Sequence, residues 1–196
     1  FDNVDHGKLL KQLWSIGIRD KRILSIISKL LKAEIKDIGK PVKGTPQGGI
    51  ISPLLSNVVL NEFDWWISNQ WETFKTKKDY TKMRVIGGKE RFDQTVKYAT
   101  LKRQTKLKEM FIVRYADDFK IFCRDHRTAF IVFEATKKWL RERLGLEISH
   151  EKSKVVNLRK NYSEFLGFKF KVVPKGKKRV VKSRMSDKSR RKVIEK

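Results

Sequence analysis

The stretch Phe111–Cys123, FIVRYADDFKIFC, constrains this chain more than any other. Phe111, Val113 and Tyr115 alternate with Ile112 and Arg114. Phe119, Ile121 and Cys123 alternate with Lys120 and Phe122. A period of two in β-branched and aromatic residues marks strands, and the break at Asp117-Asp118 marks a tight corner between them. The sequence therefore predicts a β-hairpin with two acids at its bend. Adjacent carboxylates repel each other, and Arg114 and Lys120 are the neighbouring cations in sequence. Two roles fit. A hard divalent cation takes carboxylate oxygens and relieves the repulsion. Equally, aspartates favour turns because their side chains bond to nearby backbone.

Charge narrows the choice of partner. Lys and Arg number 47 against 22 Asp and Glu, a net of +25 over 196 residues. Self-repulsion of that size adds nothing to a fold, and a polyanion, nucleic acid first, is the natural partner. Phosphate contacts bind without reading bases, so charge carries no sequence specificity. An anionic membrane surface fits less well, since no long basic amphipathic helix with an exposed apolar face is evident. No apolar run is long enough to span a bilayer, and no signal peptide is visible. A lone Cys123 excludes an internal disulfide and a cysteine-based zinc site, and the three histidines are scattered. The chain opens Phe1-Asp2-Asn3-Val4-Asp5-His6 without an initiator methionine, so it is expected to be an excerpt of a longer product.

Taken in order, 9–14 and 23–31 predict helices, the second with a core stripe of Ile23, Ile26, Ile27, Leu30 and Leu31. A polar segment, 32–43, leads into the glycine-rich turn 44–49. Ser52 is placed to cap a helix and Pro53 to occupy its first position. Leu54, Leu55, Val58, Val59, Glu62, Phe63 and Trp66 carry that helix to about Phe74. A loop just ahead of a helix N-terminus either brings backbone N–H groups close to a phosphate or base, or is plain capping. Residues 75–108 hold twelve Lys and Arg against Asp79, Glu90 and Asp93. This segment reads as a basic insertion loop with helical fragments and a turn at Gly87-Gly88, either an RNA backbone contact or a solvated face. After the hairpin, Asp125 or Thr128 caps a helix along Phe130, Phe133, Lys137, Leu140 and Leu144, stopped by Gly145. Brief strands follow at 146–148 and from 151 to 156. A longer one spans 163–173 and turns at 174–176 into 179–181. Ser186 or Asp187 caps a final helix start. The order gives an α+β fold with an antiparallel sheet packed on helices.

Two of these segments match known motifs. Tyr115-Ala116-Asp117-Asp118 resembles the catalytic hairpin of reverse transcriptases. Gly44–Pro53, GTPQGGIISP, lies some seventy residues upstream and resembles the motif after the first catalytic segment of group II intron reverse transcriptases. The bacterial intron type is the nearest subgroup, and retron, diversity-generating and CRISPR-associated relatives share much of the pattern. The resemblance implies a polymerase palm over 1–182, with the basic insertion at 75–108, and the start of a thumb or maturase region over 183–196. It implies an RNA-directed DNA polymerase that uses two magnesium ions about 4 Å apart, with manganese as a possible substitute. Asp117 is then the main metal ligand and Asp118 the auxiliary one. The family's other essential aspartate precedes an aromatic gate, here Phe1, and is expected upstream. Asp2 and Asp5 follow the gate and suit helix capping instead.

The same resemblance assigns further roles. Phe1 would exclude a ribose 2′-hydroxyl. Gln47 and Gly48 would lie against the nascent base pair, and Tyr115 and Ala116 against the nucleotide. Lys152 would stabilise or protonate departing pyrophosphate. Leu166 and Gly167, in Phe165-Leu-Gly-Phe168, would grip the primer end. Expected partners are an RNA template, intron RNA, a DNA primer and deoxynucleoside triphosphates, in a cytoplasmic ribonucleoprotein of a bacterial host. Without the upstream aspartate and the fingers, these residues alone are expected not to polymerise. An RNA-binding maturase without polymerase activity, or a mobile-element remnant, is the alternative.

Overall fold

Asp5 and Asp20 start the first two helices in the computed structural model, which describes residues 3–34, 39–45 and 50–195. The Asp5 side chain accepts from the Lys8 N–H at the head of α1 (His6–Ser15). Asp20 accepts from the N–H groups of Arg22 and Ile23 at the head of α2 (Lys21–Leu31). Each such cap contributes about 1 kcal/mol. Asp5 is thus a capping residue, as its position after Phe1 suggested. The chain divides into two units, residues 1–147 and 148–196.

In the first unit α1 buries Leu9 and Leu13, but α2 buries only Ile27 and Leu31. Ile23, Ile26 and Leu30 stay exposed, so the predicted five-residue core stripe is too wide. The packing partner of α2 is α1, and one helix covers only a narrow line of another.

Helix α3 (Ser52–Ser68) is the centre of this unit. Leu55, Val59, Phe63 and Ile67 recur every fourth residue and are all buried. Two sequence expectations change here. Ser52 lies inside the helix and the cap position falls to Ile51, whose aliphatic side chain has no acceptor to cap with. The helix also stops at Ser68, short of Phe74. Thr73 N–H bonds back to the Ser68 carbonyl at 2.9 Å, and the resulting turn folds Trp71 completely into the core.

The segment 75–108 is more ordered than an insertion loop. Strands β1 (Lys82–Ile86) and β2 (Lys89–Asp93) pair antiparallel around Gly87-Gly88. These glycines sit at φ 61° and 74°, the left-handed pair that two-residue hairpins favour. Helix α4 (Thr95–Gln104) follows and buries Thr100 and Leu101. Turn chemistry and cross-strand pairing, including Arg84 with Asp93 at 2.6 Å, outweigh the sparse apolar content.

Strands β3 (Met110–Tyr115) and β4 (Asp118–Cys123) form the predicted hairpin. Asp125 caps α5 (His126–Trp139), a π-helical turn continues over Leu140–Leu144, and Gly145 ends it at φ 68°. The buried line is Thr128, Val132, Thr136, Leu140 and Leu144, whereas Phe130 is exposed. The helix is rotated from the expected Phe130–Phe133 face so that Trp139 stacks on Trp66 at 5.0 Å and meets Phe63 at 5.7 Å.

The predicted strands at 146–148 and 151–156 do not form; turns occupy 150–152 and 158–160. In the second unit β5 (Ser163–Phe165), β6 (Phe168–Lys175) and β7 (Lys178–Met185) make an antiparallel sheet in that order. The single strand expected over 163–173 is therefore two, broken at Leu166-Gly167. Ser186 caps α6 (Asp187–Ile194) through the Ser189 N–H. Helices and antiparallel strands together confirm the α+β class.

Candidate catalytic hairpin and nucleic-acid surface

The β3–β4 hairpin has a fixed base and an open tip. At the base, the Phe111 ring meets Tyr98 of α4 edge-on at 5.9 Å; nearer the tip, Phe119 meets Phe63 of α3 at 4.9 Å. Tyr98 in turn stacks on buried Trp71 at 5.6 Å. Aromatic pairs of this kind contribute about 0.5–1.5 kcal/mol each beyond area burial. Cys123 ends β4 half-buried; burial, then the charge of Asp125, pushes its thiol up to about 11, so it is not a reactive nucleophile.

At the tip, Tyr115 pairs with Asp118, and Ala116-Asp117 make a two-residue turn. Tyr115, Asp117 and Asp118 are exposed. Among the described residues, no hydrogen bond or ion pair engages the side chain of Asp117 or Asp118. Among the described residues neither carboxylate bonds to the bend through its side chain, although Asp117 occupies the turn itself. Ala116 carries φ +53°, a conformation that favours glycine at this turn position. Such a residue costs about 1–3 kcal/mol and persists only where its surroundings enforce it.

Arg114 holds the carbonyl of this residue. Its Nε donates to both Asp64 oxygens at 2.8 and 3.0 Å, and its Nη2 to Asp64 Oδ2 at 2.6 Å. Its Nη1 donates to Asn57 Oδ1 at 2.7 Å and to the Ala116 carbonyl at 2.6 Å. In the sequence Arg114 stands out only as a cation near the acids. Asp64 and Asn57 escape notice there, because a partner fifty residues away leaves no local signal.

Among the described residues no cluster of three or more His, Cys, Asp or Glu side chains forms a metal cage. The acid pair still fits a divalent ion of the magnesium type, which takes one or two carboxylates and completes its shell with water and substrate phosphates. Phe1, Gln47 and Gly48 lie outside the described residues, as does Asp2. Lys152 is exposed, in the second unit, on the turn at 150–152.

Leu166 and Gly167 form the β5–β6 turn, at φ 50° and 77°. Leu166 and Ala116 are the only non-glycine residues with positive φ among those described, and each adjoins a sequence-predicted site. The Gly167 carbonyl accepts from the Ser186 N–H at 2.7 Å, which ties the turn to the start of α6. A Cβ at Gly167 would lie 2.5 Å from Ser189 Oγ. Gly167→Ala is therefore expected to destabilise this unit by roughly 1–3 kcal/mol, from the left-handed backbone and the clash together. Gly176→Ala at the open β6–β7 turn has a similar φ of +57° but nothing within 4 Å, so it should cost less. Urea denaturation of both variants checks the order.

The β6–β7 ribbon carries a charged face. Lys171 lies opposite Lys182, Lys175 opposite Lys178, and Lys169 opposite Arg184. Like charges directly across a sheet are destabilising. Lys169 is relieved by Asp187 at 2.6 Å, whose carboxyl its hydrogen bond and charge hold below the usual range. On the same face Lys171 Nζ and Arg184 Cζ stand 5.7 and 5.0 Å from the Tyr162 ring centroid. A strand face built against its own electrostatics is suited to a polyanion.

Comparison with known proteins agrees with the hairpin. The family model described as reverse transcriptase (RNA-dependent DNA polymerase) matches residues 1–170. Protein YkfC of Escherichia coli is 30% identical over 97% of this chain and 50% of its own length. The group II intron-encoded protein LtrA of Lactococcus lactis is 28% identical over 88% of this chain and 33% of its own. The putative COX1/OXI3 intron 1 protein of Saccharomyces cerevisiae is 28% identical over 89% of this chain and 23% of its own. The chain thus spans half or less of the length of these relatives. With the acid-tipped hairpin in place and the match running through it, the chain belongs to the reverse transcriptase (RNA-dependent DNA polymerase) family.

Proposed function

We propose that this chain is the palm segment of a group II intron-encoded, RNA-directed DNA polymerase, with the palm over 1–182 and the thumb beginning at 183–196. The observation that carries the reading is the exposed Asp117-Asp118 pair, with no partner to either side chain among the described residues, at the tip of a hairpin packed on α3 and α4. Two bound magnesium ions would supply charge neutralisation at the attacking and leaving oxygens of nucleotidyl transfer. Asp117 is the principal ligand and Asp118 the auxiliary.

The remaining roles follow the sequence resemblance. Tyr115 and Ala116 border the nucleotide, with Gln47, Gly48 and Phe1 completing its site. Lys152 faces the departing pyrophosphate, and Leu166-Gly167 grip the primer end. The template is RNA, the primer DNA, and the substrates are deoxynucleoside triphosphates; intron RNA binds the same polypeptide, which assists its splicing in a ribonucleoprotein. Among the described residues no helix is long and apolar enough to cross a membrane. The test is primer extension on an RNA template by the natural polypeptide that contains these residues. Mg²⁺-dependent cDNA synthesis is expected. RNA binding without extension would leave the RNA-binding maturase as the function.

The cationic ribbon gives a second measurable consequence. RNA affinity of the natural polypeptide is expected to fall ~10³-fold or more between roughly 50 and 200 mM salt. Replacing Lys175, Lys178 and Lys182 with glutamine should lower the slope of log affinity against log salt by about three, one for each phosphate no longer neutralised. Filter binding across a salt series measures both. An unchanged slope would remove the ribbon from the RNA interface.

A further inference from the structure

We propose that Arg114 is a positioning residue that sets the direction of Asp117, and so of the acid pair, relative to helix α3. The inference rests on the polymerase reading of Asp117 and Asp118 and adds to it.

The carbonyl oxygen of Ala116 and the backbone nitrogen of Asp117 belong to one planar peptide unit. By holding that oxygen at 2.6 Å, Arg114 fixes the plane from which Asp117 departs. The same Nη1 also donates to Asn57, and the Nε–Nη2 edge of the guanidinium is anchored to Asp64. Those two residues are seven apart on α3, hence two turns apart on one face. The side chain of Arg114 is only 12% exposed, so its bonds to Asp64 and to the Ala116 carbonyl are partly shielded from water. Ala116 itself sits at φ +53°, so the peptide that Arg114 holds follows a left-handed residue. In sequence, α3 begins three residues after the glycine-rich segment that ends at Gly49. One helix thus follows the first motif directly and is bolted to the second.

Lysine cannot replace this arrangement. Its ammonium keeps the charge, but a point donor cannot span Asp64, Asn57 and the Ala116 carbonyl in one plane as a guanidinium fork does. A residue that only stabilised the fold would lower the melting temperature and leave the folded enzyme's rate alone. A positioning residue lowers the rate of the folded enzyme.

The experiment uses the natural polypeptide and three variants, Arg114→Lys, Val59→Ala and Asp117→Asn, at a temperature where all are folded. Val59 is buried in α3 and makes none of these bonds, so Val59→Ala is the stability control. For Arg114→Lys, kcat of primer extension should fall roughly tenfold to a hundredfold, as a small misplacement of a reacting group does. The KM for deoxynucleotides should change less than about threefold, a loss confined to the transition state. Backbone amides at 116–118 should exchange with solvent about tenfold faster, the mark of local opening. Val59→Ala should change none of the three beyond about twofold. Should Arg114→Lys fail to fold, Asn57→Ala carries the test. It removes one acceptor of the nitrogen that holds Ala116, and about a threefold loss of kcat is expected. Wild-type kcat and amide exchange in Arg114→Lys, with Asp117→Asn inactive, would overturn the positioning role alone. Full extension by Asp117→Asn would overturn the polymerase reading beneath it.

Discussion

Asp117→Asn in the natural polypeptide is expected to reduce primer extension by at least ~10³-fold, a barrier increase of about 4 kcal/mol. The loss follows from charge. An amide oxygen is neutral and holds a magnesium ion far less tightly than a carboxylate, and the ions neutralise charge that develops in the transition state. Asp118→Asn, at the proposed auxiliary position, should cost roughly tenfold to a hundredfold. Stability should barely move in either variant. Both side chains are exposed and neither bonds to a described residue, so each change stays within about 0.5 kcal/mol. Loss of one charge from a repelling pair can even raise the melting temperature slightly. RNA affinity should persist, because the cationic ribbon is untouched. Steady-state extension, thermal melting and RNA binding on the same preparations separate these effects. Extension at the wild-type rate in Asp117→Asn would remove the acid pair from the chemistry.

What was legible in the sequence was local. The period-two alternation around Asp117-Asp118 fixes the hairpin because each strand needs only its own residues to declare its faces. Asp5, Asp125 and Ser186 announce helix starts for the same reason, since a cap bonds three residues ahead. Gly145 and Gly87-Gly88 mark their turns because their backbone angles exclude most other residues. Errors arose where long-range packing decided. Ile23, Ile26 and Leu30 share a helical face, but the packing among the described residues leaves all three exposed. Phe130 looks like core by spacing, yet Trp139 sets the rotation of α5 by reaching two rings on α3. The 75–108 segment reads as a loop with helical fragments because its apolar residues are few. One of them, Tyr98, carries much of its anchorage by stacking on Trp71. The candidate site followed the same division. Its acids were readable, whereas the clamp from Arg114 to Asp64 and Asn57 appears only once α3 lies against β3.

The largest loss of stability is expected from Phe63→Ala, at about 3–5 kcal/mol. Phe63 is fully buried, and its ring meets Phe119, Trp139 and Trp66 at centroid distances of 4.9, 5.7 and 6.1 Å. Truncation removes apolar area and leaves a cavity bounded by three large rings. Each ring sits on a different turn or element, so none can slide in to fill the space, and the penalty falls at the upper part of its range. Against a total of roughly 5–15 kcal/mol for a domain, that is enough to leave the first unit marginal. Trp65→Ala on the same helix is the comparison. Trp65 is 55% exposed and lies on the opposite side, so its loss should cost under about 1 kcal/mol despite the larger side chain. Urea denaturation of both variants measures the difference. The catalytic consequence distinguishes packing from chemistry: Phe119 directly follows Asp118, and without Phe63 the β4 side of the hairpin loses its support on α3. Phe63→Leu, which keeps most of the volume, should recover both the stability and the extension rate, a rescue that no substitution at Asp117 can match. A penalty near 1 kcal/mol for Phe63→Ala would mean that the three rings do close over the gap. The hairpin would then be held by Arg114 and by the packing of Phe111 on Tyr98.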